Sequence, residues 1–330
     1  MSKMNKRGIF FTFITILLIL VILVAFLAKS RTSSPIALQK THAKVTSLNA
    51  FVKSFDPVVE RAVQASAKQA VLGSLDYMAN TKPKPTYLPN FPGEFSKIML
   101  TGSTSGGTAI AKMGPEAQDS LNLLRNLNIV KGVAKDSNIY IFYDPITEQD
   151  ITISQLSPWE IEVALTLKNP KVADTQDLSK AEASWSLGAT RVIKTRLYVT
   201  DYSDPFSLVE DNKQVPIKKT QIQGFGSKQD IDDFIQQHEF IAHGDGPSFL
   251  QRMSGEFKND PFGIEAVLDQ SRGADGTDTK SFVDFYYWGN LNDGTTNCNV
   301  EGYPGKFQLD DNPGHLHKIF YTTVPCAKPK

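Results

Sequence analysis

The residues best suited to chemistry sit in one stretch, His238-Glu239-Phe240-Ile241-Ala242-His243. Two histidines around a glutamate suggest a hydrolytic zinc site. That chemistry needs the imidazoles four residues apart on a helix, so that both meet one ion. Here the second histidine comes five residues on, about 500° around a helix, and the rings share no face. Gly244-Asp245-Gly246 then ends any helix. One metal reading remains, built from His243, Asp245 and His315 or His317; two surface histidines beside a turn is the default. Asp275, Asp278, Asp310 and Asp311 offer oxygen ligands in Gly-rich loops, but none opens the EF-hand pattern that Ca²⁺ binding of that type requires. No serine has the strand-to-helix setting of an activated nucleophile. The Gly-rich stretch Thr101–Thr108 lacks the Gly-Lys-Ser/Thr that completes a phosphate cradle. Phe282, Phe285, Tyr286, Tyr287 and Trp288 offer stacking surfaces for a sugar or a partner, but core packing with one wet edge is the plainer reading. The sequence therefore predicts no catalytic residues, no metal and no cofactor, and a chain that is not an enzyme.

The chain has 35 basic and 35 acidic residues and no net charge, so nucleic acid is not an expected partner. Its two cysteines, Cys298 and Cys326, both lie near the C-terminus. Outside the cell they form a natural bridge, restricting the unfolded chain by about 3 kcal/mol. In a cytoplasmic body they read instead as two buried thiols.

The element that orders the rest is Ile9–Ala28, twenty residues without a charge, Pro or Gly. As a helix it spans roughly 30 Å, the thickness of bilayer hydrocarbon. Lipid leaves a lone segment no other backbone state, because every N–H and C=O must be paired internally. Lys6-Arg7-Gly8 stands directly before it. Lys29, Arg31, Lys40 and Lys44 follow it and nearly balance the leader, so charge bias leaves orientation open.

Lys6-Arg7-Gly8 followed by Ile9-Phe10-Phe11-Thr12 resembles the class III, prepilin-type signal of type IV pilins and archaeal pilin-like surface proteins. Ser157-Pro158-Trp159, Pro247-Ser248-Phe249-Leu250, Gly263-Ile264-Glu265 and Ser281–Trp288 extend the likeness loosely along the chain. Phe13 stands where bacterial pilins place a Glu, which points to the archaeal members. The resemblance implies cleavage between Gly8 and Ile9 by a prepilin peptidase, with Lys6 and Arg7 as the basic residues of the leader. It implies a retained membrane helix, a partner in the lipid bilayer, and assembly with copies of itself or other pilin-like subunits. It implies no activity. The alternative is a single-pass, signal-anchored protein that keeps its leader and binds an extracellular ligand without forming a filament. In both, the body lies outside the cell membrane.

Several further elements must position that body. From Pro35 to about Asn80, apolar residues recur at helical spacing: Val45, Leu48, Val52, Phe55, Val59, Val63, Ala67, Val71 and Leu75. Asp56-Pro57 predicts a kink or a junction within this run. The reading is an amphipathic stalk over 36–80; an ordinary domain helix on its own core is equally consistent with the spacing. Four prolines in 81–93 predict an extended connector, which with a helix over Leu121–Val133 makes a linking region to residue 137. From Asn138 the period becomes two. Asn138–Asp144, Ile151–Gln155, Trp159–Asn169 and a long or bent Ser184–Asp201 read as strands, with Ile193, Thr195, Leu197 and Val199 on the inner side and a bulge at Gly188. Ser227 and Asp230 form a capping box for a helix to Gln237. A second helix is expected over Pro247–Phe257, apolar segments of open type over Ile264–Leu268 and Ser281–Trp288, and a last strand over Ile319–Val324. The expected fold is α+β: leader 1–8, transmembrane helix 9–28, stalk, connector, then a mainly antiparallel β-sheet domain with short helices over 138–330.

Overall fold

The computed structural model describes residues 36–114, 120–222, 227–269, 281–289, 297–300, 303, 307–310 and 326–327. The leader with its cleavage pair Gly8 and Ile9, the apolar run 9–28 and the expected strand Ile319–Val324 lie outside the described residues. Among the described residues no helix is long and apolar enough to cross a membrane.

Helix α1, Ile36–Asn80, is 45 residues long, about 68 Å at the helical rise. It passes through Pro57 without a junction. Its buried stripe is Leu48, Phe51, Phe55, Val59, Val63, Ala67, Ala70, Val71, Leu75 and Met78. This is the predicted spacing shifted slightly: Val45 faces solvent and Phe51 takes a buried place. Small residues let the neighbours close in, and the buried Ser74 hydroxyl donates to the Ala70 carbonyl one turn back. The expectation of a projecting stalk needs correcting from Leu48 onward. There the apolar face is covered by this chain's own helices and sheet, so this part of α1 is a core helix.

The Pro-rich stretch is mostly exposed but pinned to the body, with Leu88 buried and its N–H donating to the Met253 carbonyl. Helix α2, Phe91–Thr101, follows with Pro92 in its first turn and Phe91, Phe95 and Ile98 fully covered. Gly102 ends α2 in the left-handed region at φ 82°, where a side chain would strike the Met113 carbonyl. Helix α3, Leu123–Asp136, is capped by Asn122, whose side chain accepts from the Arg125 N–H and donates to the Met113 carbonyl.

The main sheet joins β2 (Ile151–Ser157), β3 (Glu160–Lys168) and β6 (Thr190–Tyr198) in the order β2-β3-β6, all antiparallel. Ile151, Ile153, Ile161, Val163, Leu165, Leu167, Ile193, Thr195 and Leu197 point inward. Val192, Lys194, Arg196 and Tyr198 face water, as the period-two pattern predicts. β6 is an edge strand. α1 lies along it, tied by Asp56 to Arg191 at one end and by Lys68 to Asp201 at the other. Lys44 reaches Glu182 at 2.6 Å and Asp174 at 3.1 Å; Glu182 first, then Asp174, raises its pKa above the ordinary value. Such exposed pairs set direction more than stability.

The expected strand Ser184–Asp201 is split. β5, Ser184–Ser186, leaves at Gly188, φ 107°, and joins β1 (Tyr140–Phe142) and β4 (Lys171–Ala173) in a second sheet ordered β1-β4-β5. Beyond the first sheets, α4 (Pro205–Glu210), β7 (Lys218–Lys219), α5 (Lys228–Gln237) and β8 (Glu239–Ala242) follow. The Ser227–Asp230 capping box of α5 is present, and Ile231, Phe234 and Ile235 are buried. Then come α6 (Phe249–Ser254), β9 (Ile264–Glu265), α7 (Asp284–Gly289), β10 (Asn297–Val300), β11 (Gln308–Asp310) and β12 (Cys326–Ala327). The sheet β7-β8-β9 contains the parallel pair β7–β8; the sheet β11-β10-β12 is antiparallel.

Two apolar cores result. The larger runs from Leu48 of α1 to Ile264 of β9, so the 36–80 helix, the 81–137 region and the main sheet share one interior. The smaller gathers Phe206, Ile231, Phe234, Ile241, Phe282, Phe285 and Phe307. Phe95→Ala, at the centre of the larger core, is expected to lower unfolding free energy by about 3–5 kcal/mol. Val192→Ala, on the wet face of β6, should change it by less than about 0.5 kcal/mol. Urea titration of the detergent-solubilised chain distinguishes the two; equal effects would contradict the placement of these faces.

Candidate functional site: a buried ionic centre between the cores

Three charged side chains meet where the two cores join. Arg252 lies on α6 among Phe249, Leu250 and Met253, which belong to the larger core. Asp204 is the N-cap of α4, and Asp284 begins α7. Arg252 and Asp204 are 0% exposed and Asp284 1%. One guanidinium nitrogen, Nη1, donates to Asp204 Oδ1 at 2.9 Å and lies 2.7 Å from Asp284 Oδ2. Nη2 donates to the Ile264 carbonyl at 2.5 Å. The guanidinium carbon lies 4.5 Å from the centre of the Phe206 ring and 5.6 Å from that of Phe240. A planar cation packed against aromatic faces loses less on burial than an ammonium would.

The carboxylates are unequally supplied. Asp204 Oδ2 accepts from both the N–H and the hydroxyl of Ser207. Among the described residues Asp284 Oδ1 accepts only from the N–H of Phe285. Beside them Glu265 is fully buried, with its Oε2 3.2 Å from His243 Nδ1. Burial opposes the charge on Arg252, but Asp284 and Asp204 outweigh it and hold the guanidinium ionised above its ordinary range. Burial pushes Asp284 up to about 6; Arg252 resists, while Asp204 and Glu265 push the same way as burial. On the rim, Tyr87 donates to Glu210 at 2.8 Å, and burial, then that carboxylate, holds its hydroxyl protonated far above the usual range.

The sequence-predicted residues fall as follows. His238 is the left-handed C-cap of α5 and exposed, and Glu239 opens β8, accepting from the Thr220 hydroxyl. The two histidines thus do not share a helix. His243 is a correction: it is 2% exposed against Glu265, not a surface residue, because β8 carries the chain inward before the turn. Asp245 is half-buried in that turn. His315, His317, Asp275, Asp278 and Asp311 lie outside the described residues, as does the side chain of Asp310. Among the described residues no group of three or more His, Cys, Asp or Glu is placed to hold a metal ion. Phe282 and Phe285 are core residues, and Tyr286, Tyr287 and Trp288 are half-buried, one wet edge on a packed run. Cys298 and Cys326 sit in β10 and β12, while their side chains lie outside the described residues.

Arg252, Asp204 and Asp284 are not among the expected site residues. Only Asp284 carries a local signal, a lone charge inside the apolar run Ser281–Trp288, where a buried charge needs a partner. The charged side chains of the centre are buried, and they tie α4, α6 and α7 together. A separate surface crevice of about 270 Å³ lies between α1 and the 200–216 segment, lined by Leu72, Leu75, Asp76, Asp201 and Tyr202. The fold and this centre define an α+β body with mainly antiparallel sheets and short helices, whose two cores are joined by a buried ion cluster. No known protein family matches the chain, and no curated protein or solved structure matches it either.

Arg252→Met leaves two carboxylates buried without their cation, and should cost about 3–5 kcal/mol in urea unfolding. Adding Asp204→Asn and Asp284→Asn to it should recover most of that loss. If the triple variant is no more stable than Arg252→Met, the pairing is not what Arg252 contributes.

Proposed function

We propose that this chain is a membrane-anchored, pilin-like cell-surface subunit with a structural or adhesive role. Ile9–Ala28 spans the bilayer once, the C-terminal body lies outside, and a prepilin peptidase cuts between Gly8 and Ile9. Its partners are the bilayer and copies of itself or other pilin-like subunits. One observation carries the reading. α1 starts eight residues after the apolar run and supplies the buried face of the larger core from Leu48 to Met78. An anchor that closely precedes, in the sequence, the helix that organises the body suits a subunit whose task is to hold position.

A Cys298–Cys326 bridge belongs to the same reading, because an exported body meets an oxidising setting.

Mass spectrometry of the native N-terminus tests the proposal. The expected chain begins at Ile9, and Gly8→Val should block that cut; an intact leader in the wild type favours the uncut signal-anchor instead. Alkylation of the unreduced, unfolded protein should find no free thiol, and two labelled cysteines would remove the bridge.

A further inference from the structure

Two buried carboxylates, Asp204 and Asp284, face the one guanidinium of Arg252, all three 1% exposed or less, with Glu265 and His243 beside them. Full ionisation of this trio sets two negative charges against one positive. Asp204 and Asp284 also place their oxygens on the same nitrogen of Arg252, at 2.9 and 2.7 Å. Two carboxylates so close favour a shared proton. Among the described residues Ser207 supplies two donors to Asp204, while Asp284 has the Phe285 N–H besides Arg252, which favours the proton on Asp284.

The position of the centre turns this proton into a structural signal. Arg252 belongs to the larger core through its neighbours Phe249, Leu250 and Met253. Asp284 stands among Phe282, Val283 and Phe285 of the smaller one. Asp204 caps a helix that gives Phe206 to the smaller core and Leu208 to the larger. We propose that this cluster is a proton-loaded joint, which fastens the 281–289 segment and the smaller core to the larger core when Asp284 is protonated and loosens when that proton leaves. The inference concerns the fold of the body and does not rest on where the body is displayed.

The groups facing Asp284 are Arg252 from α6, Asp204 from the cap of α4, and Glu265 from β9 with His243 behind it; Glu210 and Tyr87 lie further out beside Asp204 and Arg252. Of these only Arg252 favours the ionised form of Asp284. A carboxyl that titrates near 6 in the folded chain and at 3.8 when unfolded binds its proton more tightly when folded. Its stabilisation is complete below the unfolded value and is lost as pH rises through about 6. The lowered carboxylates Asp150, Asp174 and Asp177 act in the opposite sense, and below pH 4.

The test is thermal unfolding of the full chain in detergent from pH 5 to pH 8. The wild-type midpoint should fall from pH 5 to a little above pH 6 and level off toward pH 8. Asp284→Asn, which copies the protonated carboxyl, should flatten that fall and match or exceed the wild type at pH 8. A wild-type midpoint that is flat or rises with pH overturns the joint, as does an Asn variant with the wild-type slope. Should the variant not fold, amide exchange of the wild type decides. Protection of 281–289, corrected for intrinsic exchange, should drop several-fold between pH 5 and pH 8 while α1 stays unchanged; equal protection at both pH values overturns the proposal.

Discussion

The whole arrangement depends on covering one face of α1. A helix this long cannot leave Phe55, Val59, Val63 and Val71 in water, because burying such side chains is worth roughly 1.5–3 kcal/mol each. The main sheet, α2 and α3 close over that stripe. The inward faces of β3 and β6 therefore read as strict alternations, and their outward faces are free to be polar. The proline-rich stretch, itself mostly exposed, delivers Leu88 and Phe91 into the same interior.

The second core depends on a different kind of bond. Its aromatic side chains supply area but little direction, and the segments that carry them are short. Arg252 adds direction. A guanidinium fixes angles as well as charge, and here it aligns the start of α4, the start of α7 and the strand carrying Ile264 in one plane of contacts. Buried ion pairs are expensive to desolvate, so the centre is better understood as specifying how the two cores meet than as adding net stability.

How far the sequence disclosed this differs element by element. Alternation in Trp159–Asn169 and in the second half of Ser184–Asp201 located β3 and β6 because one side of each is wet. Ser227 and Asp230 located the start of α5 because a capping box is a local contact. The length of α1 was readable for the same local reason, but the identity of what covers it was not, since apolar spacing records only that a face is covered. The break at Gly188 was hidden because either half alone makes an acceptable strand. The ionic centre was the least visible. Asp204, Arg252 and Asp284 are far apart in the chain, and only the folded topology brings them to one nitrogen. His243 was misplaced because turn residues around it signal exposure, whereas β8 had already carried it inside.

The rim of the main sheet bears on how these molecules crowd together. Among the described residues β6 has no strand on its outer side, so about every second residue of Thr190–Tyr198 turns an unpaired N–H and C=O outward, the kind of ribbon onto which a second chain readily zips. Lys194 and Arg196 project beside it, and two such ribbons laid against each other would press cation on cation. Uncontrolled edge-to-edge pairing of two copies is thus discouraged at the longer rim of the main sheet.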